Sequence, residues 1–116
     1  MTAGRGTERA GRLARTDEVR QVLERGRRRR LGFIEVAWRR REAGHLRLGL
    51  IVPKFQSTAV ARNRLRRRLR ELARRLASKA GPLDVVIRAR RQAYGASFAE
   101  LRAEMATWLA DLGAGG

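Results

Sequence analysis

The stretch STAVARNRLRRRLRELARRLASKAGP, residues 57–82, decides how the rest of the chain must fold. Ser57 or Thr58 can cap a helix that runs to about Lys79, and Gly81-Pro82 can close it. At about 100° per residue, Ala61, Leu65, Leu69, Leu72 and Leu76 fall on one narrow stripe. Asn63, Arg67, Arg70 and Arg74 fall on the opposite side, with Arg62, Arg64, Arg66, Arg68 and Arg75 on the flanks. The leucine ridge needs a sheet to bury against. The other face holds out cations over roughly 16 Å between Asn63 and Arg74. A helix that merely faces water alternates its charges, yet Glu71 is the only acid between Arg62 and Arg75. Like charges four residues apart, such as Arg66/Arg70 and Arg70/Arg74, each weaken the helix by about a few tenths of a kcal/mol. A polyanionic partner would offset that cost.

Working outward, the residues before this helix read as strands. In Phe33 to Trp38, Phe33, Glu35 and Ala37 share one face, and Ile34, Val36 and Trp38 the other. In His45 to Val52, Leu46, Leu48, Leu50 and Val52 share a face opposite Arg47, Gly49 and Ile51, and Pro53 stops the ladder. A strand, a polar turn at Arg39 to Gly44 and a strand predict an antiparallel hairpin. Upstream, Thr16 can cap a short helix with Asp17 and Glu18 in its first turn, Val19, Val22 and Leu23 at helical spacing, and Gly26 at its end. The run Arg27 to Arg30 reads either as a solvated turn or as a phosphate contact. Downstream, Leu83 to Ala89 is a further strand, with Val85, Ile87 and Ala89 opposite Asp84, Val86 and Arg88. Ser97-Phe98-Ala99-Glu100 is a capping box that opens a last helix. Its ridge is Phe98, Leu101, Met105, Trp108, Leu109 and Leu112, which read as core. The order α-β-β-α-β-α predicts an α+β fold, one small mixed sheet with helices packed on it. Residues 1–12 read as a disordered basic arm, 13–112 as one domain and 113–116 as a flexible tail.

Composition points the same way. The net charge is +17, and Lys54 and Lys79 are the only lysines among 28 basic residues. Arginine pairs bidentately with phosphate, stacks on bases and keeps its charge. So unbalanced a chain predicts nucleic acid as partner. There is no cysteine, hence no disulfide framework and no thiolate metal site, which fits the cytoplasm. No apolar run approaches the roughly 20 residues of a membrane span. Met1 to Arg12 lacks the apolar segment of a secretory signal. The basic helix lacks Trp or Phe on its apolar side, which weighs against a membrane-surface role.

Leu46-Arg47-Leu48-Gly49-Leu50-Ile51-Val52, then Lys54, then Ala59-Val60-Ala61-Arg62-Asn63-Arg64-Leu65-Arg66-Arg67-Arg68-Leu69-Arg70-Glu71, resembles the signature of the bacterial ribonuclease P protein family. The resemblance reaches back to Arg12-Leu13 and forward through Asp84-Val85-Val86-Ile87-Arg88-Ala89-Arg90 to Ser97-Phe98. It implies a single α/β sandwich with a left-handed β-α-β crossover through the Arg-Asn-Arg helix. It implies a catalytic RNA as partner, which cuts the 5′ leader from precursor tRNA using Mg²⁺ bound by the RNA. By the same resemblance, Lys54, Arg62, Asn63, Arg64, Arg67 and Arg68 contact the catalytic RNA, and the cationic side of the helix adds Arg66, Arg70 and Arg74 to that set. Val19, Leu23, Phe33, Val36 and Arg88 match a cleft for the single-stranded leader. Two departures stand out. Relatives often carry aromatic residues where Val19 and Leu23 stand. The usual turn of a serine, two basic residues and a later glycine is here Pro53-Lys54-Phe55-Gln56-Ser57.

The resemblance assigns the protein no catalytic residue, no metal and no small-molecule substrate. His45 is the sole histidine, so no paired-histidine acid–base mechanism is available. The acids are scattered among arginines, unlike a two-metal carboxylate cluster. The rival readings are a basic ribosomal-type RNA-binding protein, which shares the cationic helix but needs no leader cleft, and an independent small nuclease.

Overall fold

Thr58 opens the long helix as the sequence requires, its hydroxyl accepting the Ala61 amide at 3.0 Å. Gly81 ends it at φ 84°, a left-handed conformation in which a Cβ is strained. A computed structural model describes residues 11–13 and 15–113. In chain order the elements are β1 (Gly11–Arg12), α1 (Thr16–Arg25), β2 (Arg27–Arg30), β3 (Ile34–Arg40), β4 (Arg47–Ile51), α2 (Ala59–Ala80), β5 (Leu83–Ala89), a 3₁₀ turn (Arg91–Gly95) and α3 (Phe98–Gly113). This is the expected α+β class, with a mixed sheet between helices.

The strands lie in the order β1-β4-β5-β3-β2. The β4–α2–β5 crossover joins two adjacent parallel strands, and β5 is antiparallel to β3. The predicted hairpin of 33–38 with 45–52 does not form, because β5 separates the two. β5 is buried on both faces over most of its length, the pattern of a central strand. The 41–46 connection therefore spans the width of a strand, and the Arg41 amide extends the β3–β5 ladder by donating to Pro82 O at 2.9 Å. The real hairpin is β2–β3, closed where Leu31 N donates to Ile34 O at 2.8 Å. Arg27–Arg30 is thus an edge strand, where charged side chains discourage pairing with another chain.

Three smaller expectations change. Arg15, not Thr16, occupies the cap position of α1, without a side-chain hydrogen bond. Gly11 and Arg12, counted with the N-terminal arm in the sequence reading, pair in parallel with Arg47 and Leu48. Gly113 belongs to α3. The remainder of the predicted arm and tail, 1–10 and 114–116, lies outside the described residues.

Each face of the sheet has its own core. On one face Ile34, Val36, Trp38, Leu48, Val85 and Ile87 meet Leu65, Leu69 and Leu72 of α2 and Leu101, Met105 and Trp108 of α3. Trp38 and Trp108 meet edge-on with centroids 5.7 Å apart. On the other face Leu13, Val22, Ala37 and Val86 cluster with Val19, Leu23 and Ile51 beneath α1. Gly49 admits α1 here, since a Cβ at that position would stand 3.3 Å from Leu13 Cβ and 3.4 Å from Val19 Cγ2.

A polar lock sits beside the second core. Arg47 of β4 grips Asp84 of β5 with two hydrogen bonds of 2.8 Å and reaches Glu18 of α1 at 3.3 Å. The Asp84 hydrogen bonds raise the Arg47 pKa above its ordinary value, against the opposing effect of burial. Asp84→Ala leaves a half-buried guanidinium without its bidentate partner, and we expect a loss of about 1–3 kcal/mol in urea unfolding. A change within about 0.5 kcal/mol, the range of ordinary surface substitutions, would show that the lock contributes little.

Candidate nucleic-acid interface

The buried side of α2 consists of Leu65, Leu69, Leu72, Ala73, Ala77 and Ala80, whereas Ala61 and Leu76 are only partly covered. The leucine ridge predicted from the sequence is thus present but drifts toward the alanines in the last turns. That drift sorts the cations. Asn63, Arg64, Arg67 and Arg74 are exposed, as is Lys54 in the turn before the helix. Arg62, Arg66, Arg68 and Arg70 are partly covered at the helix margins. Arg62 Nε donates to Val52 O at 2.7 Å, which ties the start of α2 to the end of β4. Arg68 donates to Ala96 O at 3.3 Å. Glu71 accepts from Arg74 at 2.6 Å and from Arg75 at 2.9 Å, and these bonds hold its carboxyl below the usual carboxylate range. By sign, that contribution is present above the ordinary carboxylate pKa and is lost as pH falls through the depressed value.

Arg70 stands among like charges. Burial, then the charges of Arg12 and Arg66, lower its guanidinium pKa. Like charge thus reaches Arg70 both from β1 and from its own helix, a field that a phosphate would relieve. Among the described residues, Arg64, Arg66 and Arg67 have no ion-pair partner. Among the arginines of α2, Arg62 and Arg68 are thus supports, Arg74 and Arg75 are engaged by Glu71, Arg70 is crowded by like charge, and Arg64, Arg66 and Arg67 are open to a ligand.

A second feature lies on the α1 face of the sheet. A cavity of about 130 Å³ is bordered by Leu23, Arg28, Arg30, Glu35, Ala37, Val86 and Arg88, among others. Its floor is apolar and its rim mostly cationic. β2 supplies the rim because Arg28 pairs with Ala37 and Arg30 with Glu35, which turns both arginines toward α1. Arg28 donates to Leu23 O at 2.6 and 3.1 Å, capping the end of α1. Arg30 approaches Glu35 at 3.5 Å. Arg29 points the other way and pairs with Asp111 of α3.

The structure brings together only part of the cleft set named from the resemblance. Leu23 and Arg88 border the cavity, and Val19 lies in the adjoining seam. Val36 also touches the border, but its side chain is buried in the core on the opposite face. Phe33 sits in the turn before β3, packed at the margin of that same opposite core, with its amide held by Glu104 at 2.9 Å. Period-two alternation sends Val36 away from α1, and the β2–β3 turn carries Phe33 away as well. The residues missed are Arg28, Arg30, Glu35, Ala37 and Val86. The sequence signal for the arginines was the register of a strand in the run 27–30, which the solvated-turn reading concealed.

Among the described residues no group of three or more His, Cys, Asp or Glu could hold a metal ion. No helix among them is long and apolar enough to cross a membrane.

Comparison with known proteins adds independent findings. A family model for Ribonuclease P matches residues 8–113. The "Ribonuclease P protein component" of Acidothermus cellulolyticus is 41% identical over 96 residues, covering 80% of each chain. That of Thermus scotoductus is 42% identical over 85 residues, covering 73% of this chain and 50% of the relative. The chain thus spans about half the length of the Thermus relatives it matches. In fold it is similar to the RNase P protein of Staphylococcus aureus, with a TM-score of 0.77 at 23% identity over 85% of this chain and 92% of that one. It is likewise similar to the protein from Thermotoga maritima, with a TM-score of 0.74 at 23% identity over 84% and 94% of the two chains.

Proposed function

The chain belongs to the ribonuclease P protein family, and from that we propose that it is the protein subunit of a ribonucleoprotein endoribonuclease that removes the 5′ leader of precursor tRNA in the cytoplasm. The cationic row of α2, with Lys54, grips the catalytic RNA. The cleft beneath α1 takes the single-stranded leader. Mg²⁺ held by the RNA supplies the chemistry that leaves a 5′-phosphate on the mature tRNA, and this chain supplies no catalytic group.

The observation that carries the reading is the separation of two cationic surfaces. α2 lies on one face of the sheet with Arg64, Arg66 and Arg67 open to a ligand, and the arginine-rimmed apolar cleft lies on the other. One polyanion could use one surface, whereas two RNA segments need both. That favours an adaptor between a catalytic RNA and its substrate over a ribosomal-type binder, which needs no leader cleft. The physical task is charge neutralisation. Two RNAs repel each other, and fixed guanidinium groups replace the counterions that would otherwise be needed, releasing them on binding. With roughly 6–10 phosphate contacts, affinity falls about 10³–10⁵-fold between 50 and 200 mM salt. In the cleft, the aliphatic floor at Leu23 and Val86 packs on a base face, and Arg30 and Arg88 meet the flanking phosphates.

The test is processing of precursor tRNA by a bacterial ribonuclease P RNA at low Mg²⁺. Adding the chain should raise the rate of 5′ cleavage, and Arg88→Glu should reduce that gain for substrates with a leader of several nucleotides. No stimulation would overturn the assignment. Cleavage by the chain without the RNA would favour an independent nuclease.

A further inference from the structure

The turn between β4 and α2, which lends Lys54 to the cationic row, also presents an aromatic surface that neither the row nor the cleft uses. Ser57 closes it by donating its amide to Lys54 O at 2.9 Å and its hydroxyl to the same oxygen at 2.7 Å. Within the turn Phe55 takes φ 52°, the only positive φ at a non-glycine residue among those described. A bulky side chain is disfavoured there. Burial does not explain the choice, because Phe55 is 40% exposed, one of two large apolar side chains left open among the described residues. The other is Val60, in the first turn of α2.

Neighbouring groups fix the ring. Tyr94 meets it edge-on with centroids 6.2 Å apart, and the Tyr94 hydroxyl is itself tied to Pro53 O at 2.7 Å. The Arg91 guanidinium rides over the ring, 5.0 Å from its centroid. The turn therefore holds an exposed aromatic ring and a guanidinium together next to Lys54 in sequence, and Arg64 shares a small pocket with Tyr94. Strain held at an exposed residue by its surroundings suggests a functional role. Aromatic faces and guanidinium planes both stack on bases, and the cations around them suit the adjoining phosphates.

We propose that Phe55 and Arg91 form a platform on which one unpaired base of the RNA partner stacks. The proposal rests on the reading of that partner as RNA, and it adds a contact that is neutral in charge at Phe55. Removing the ring should therefore lower affinity without altering the dependence on salt.

The experiment measures binding of the full chain to a bacterial ribonuclease P RNA transcript over a salt series, for wild type, Phe55→Ala, Phe55→Leu, Phe55→Tyr and Arg67→Glu, with thermal melts showing that each is folded. Phe55→Ala and Phe55→Leu should each bind roughly 5- to 150-fold more weakly at an unchanged salt slope, and Phe55→Tyr should bind like wild type. Wild-type affinity in Phe55→Ala or Phe55→Leu overturns the platform. If Arg67→Glu loses affinity in the same series while Phe55→Ala does not, the platform alone falls. If wild type fails to bind, the RNA reading falls with it. Self-association abolished by Phe55→Ala, with RNA affinity unchanged, would assign the patch to a second copy of the chain and overturn the platform.

Discussion

Reversing Arg64 and Arg67 together to glutamate should weaken binding to a ribonuclease P RNA by on the order of 100-fold or more near 0.15 M salt, since charge-assisted contacts are each worth about 1.5–3 kcal/mol. Both guanidinium groups are exposed on α2 without an ion-pair partner among the described residues. Their loss removes two phosphate contacts and places carboxylates against the RNA. The slope of log K against log salt should fall in magnitude by roughly 1.5–2, because fewer counterions are released. Stability should barely move. The carboxylate introduced at position 64 faces Arg68 and that at 67 faces Arg70, while Glu71 opposes the latter, so the net change is about a few tenths of a kcal/mol. An unchanged salt slope in filter binding would remove this face of α2 from the interface.

The contrast with Arg62 and Arg70 shows how far the sequence could be read. Helical periodicity is local, so residues 57–82 reveal the helix, its cap and its two faces. The same periodicity gives the Arg66/Arg70 pair, but it cannot show that Arg62 is turned onto Val52 O or that the Arg12 charge acts on Arg70, because those neighbours lie outside the helix. Strand pairing fails for a related reason. β3 and β4 are adjacent in sequence and each alternates well, yet β5, more than thirty residues later, takes the place between them. Charge also hid a strand. Four consecutive arginines carry no apolar alternation, so the register that turns Arg28 and Arg30 into the cleft became visible only once Ala37 and Glu35 were seen opposite them. Val36 is different, since its alternation already set it with Ile34 and Trp38, on the face opposite Phe33, Glu35 and Ala37. The resemblance assigned it to the cleft, and the packing sides with the alternation.

Leu69→Ala should destabilise the protein by about 2–5 kcal/mol, the range for removing most of a buried leucine and leaving a cavity. Leu69 is fully buried between the sheet and α3, in the middle of the α2 ridge. Domains of this size have only about 5–15 kcal/mol in total, so the urea midpoint should drop steeply at nearly constant m. The effect on RNA binding should differ in kind from that of the charge reversals. No cation is lost, so the salt slope of the molecules that remain folded should equal that of wild type. Binding also favours the folded state, so RNA at about a hundred times its dissociation constant should restore about 2.7 kcal/mol. The two variants thus separate the two faces of one helix: Leu69 holds α2 in place, while Arg64 and Arg67 bind through it. If Leu69→Ala instead cost less than about 1 kcal/mol, or lowered the salt slope while still folded, the ridge could not be what fixes the guanidinium row in space. The row would then have to be organised by the RNA itself.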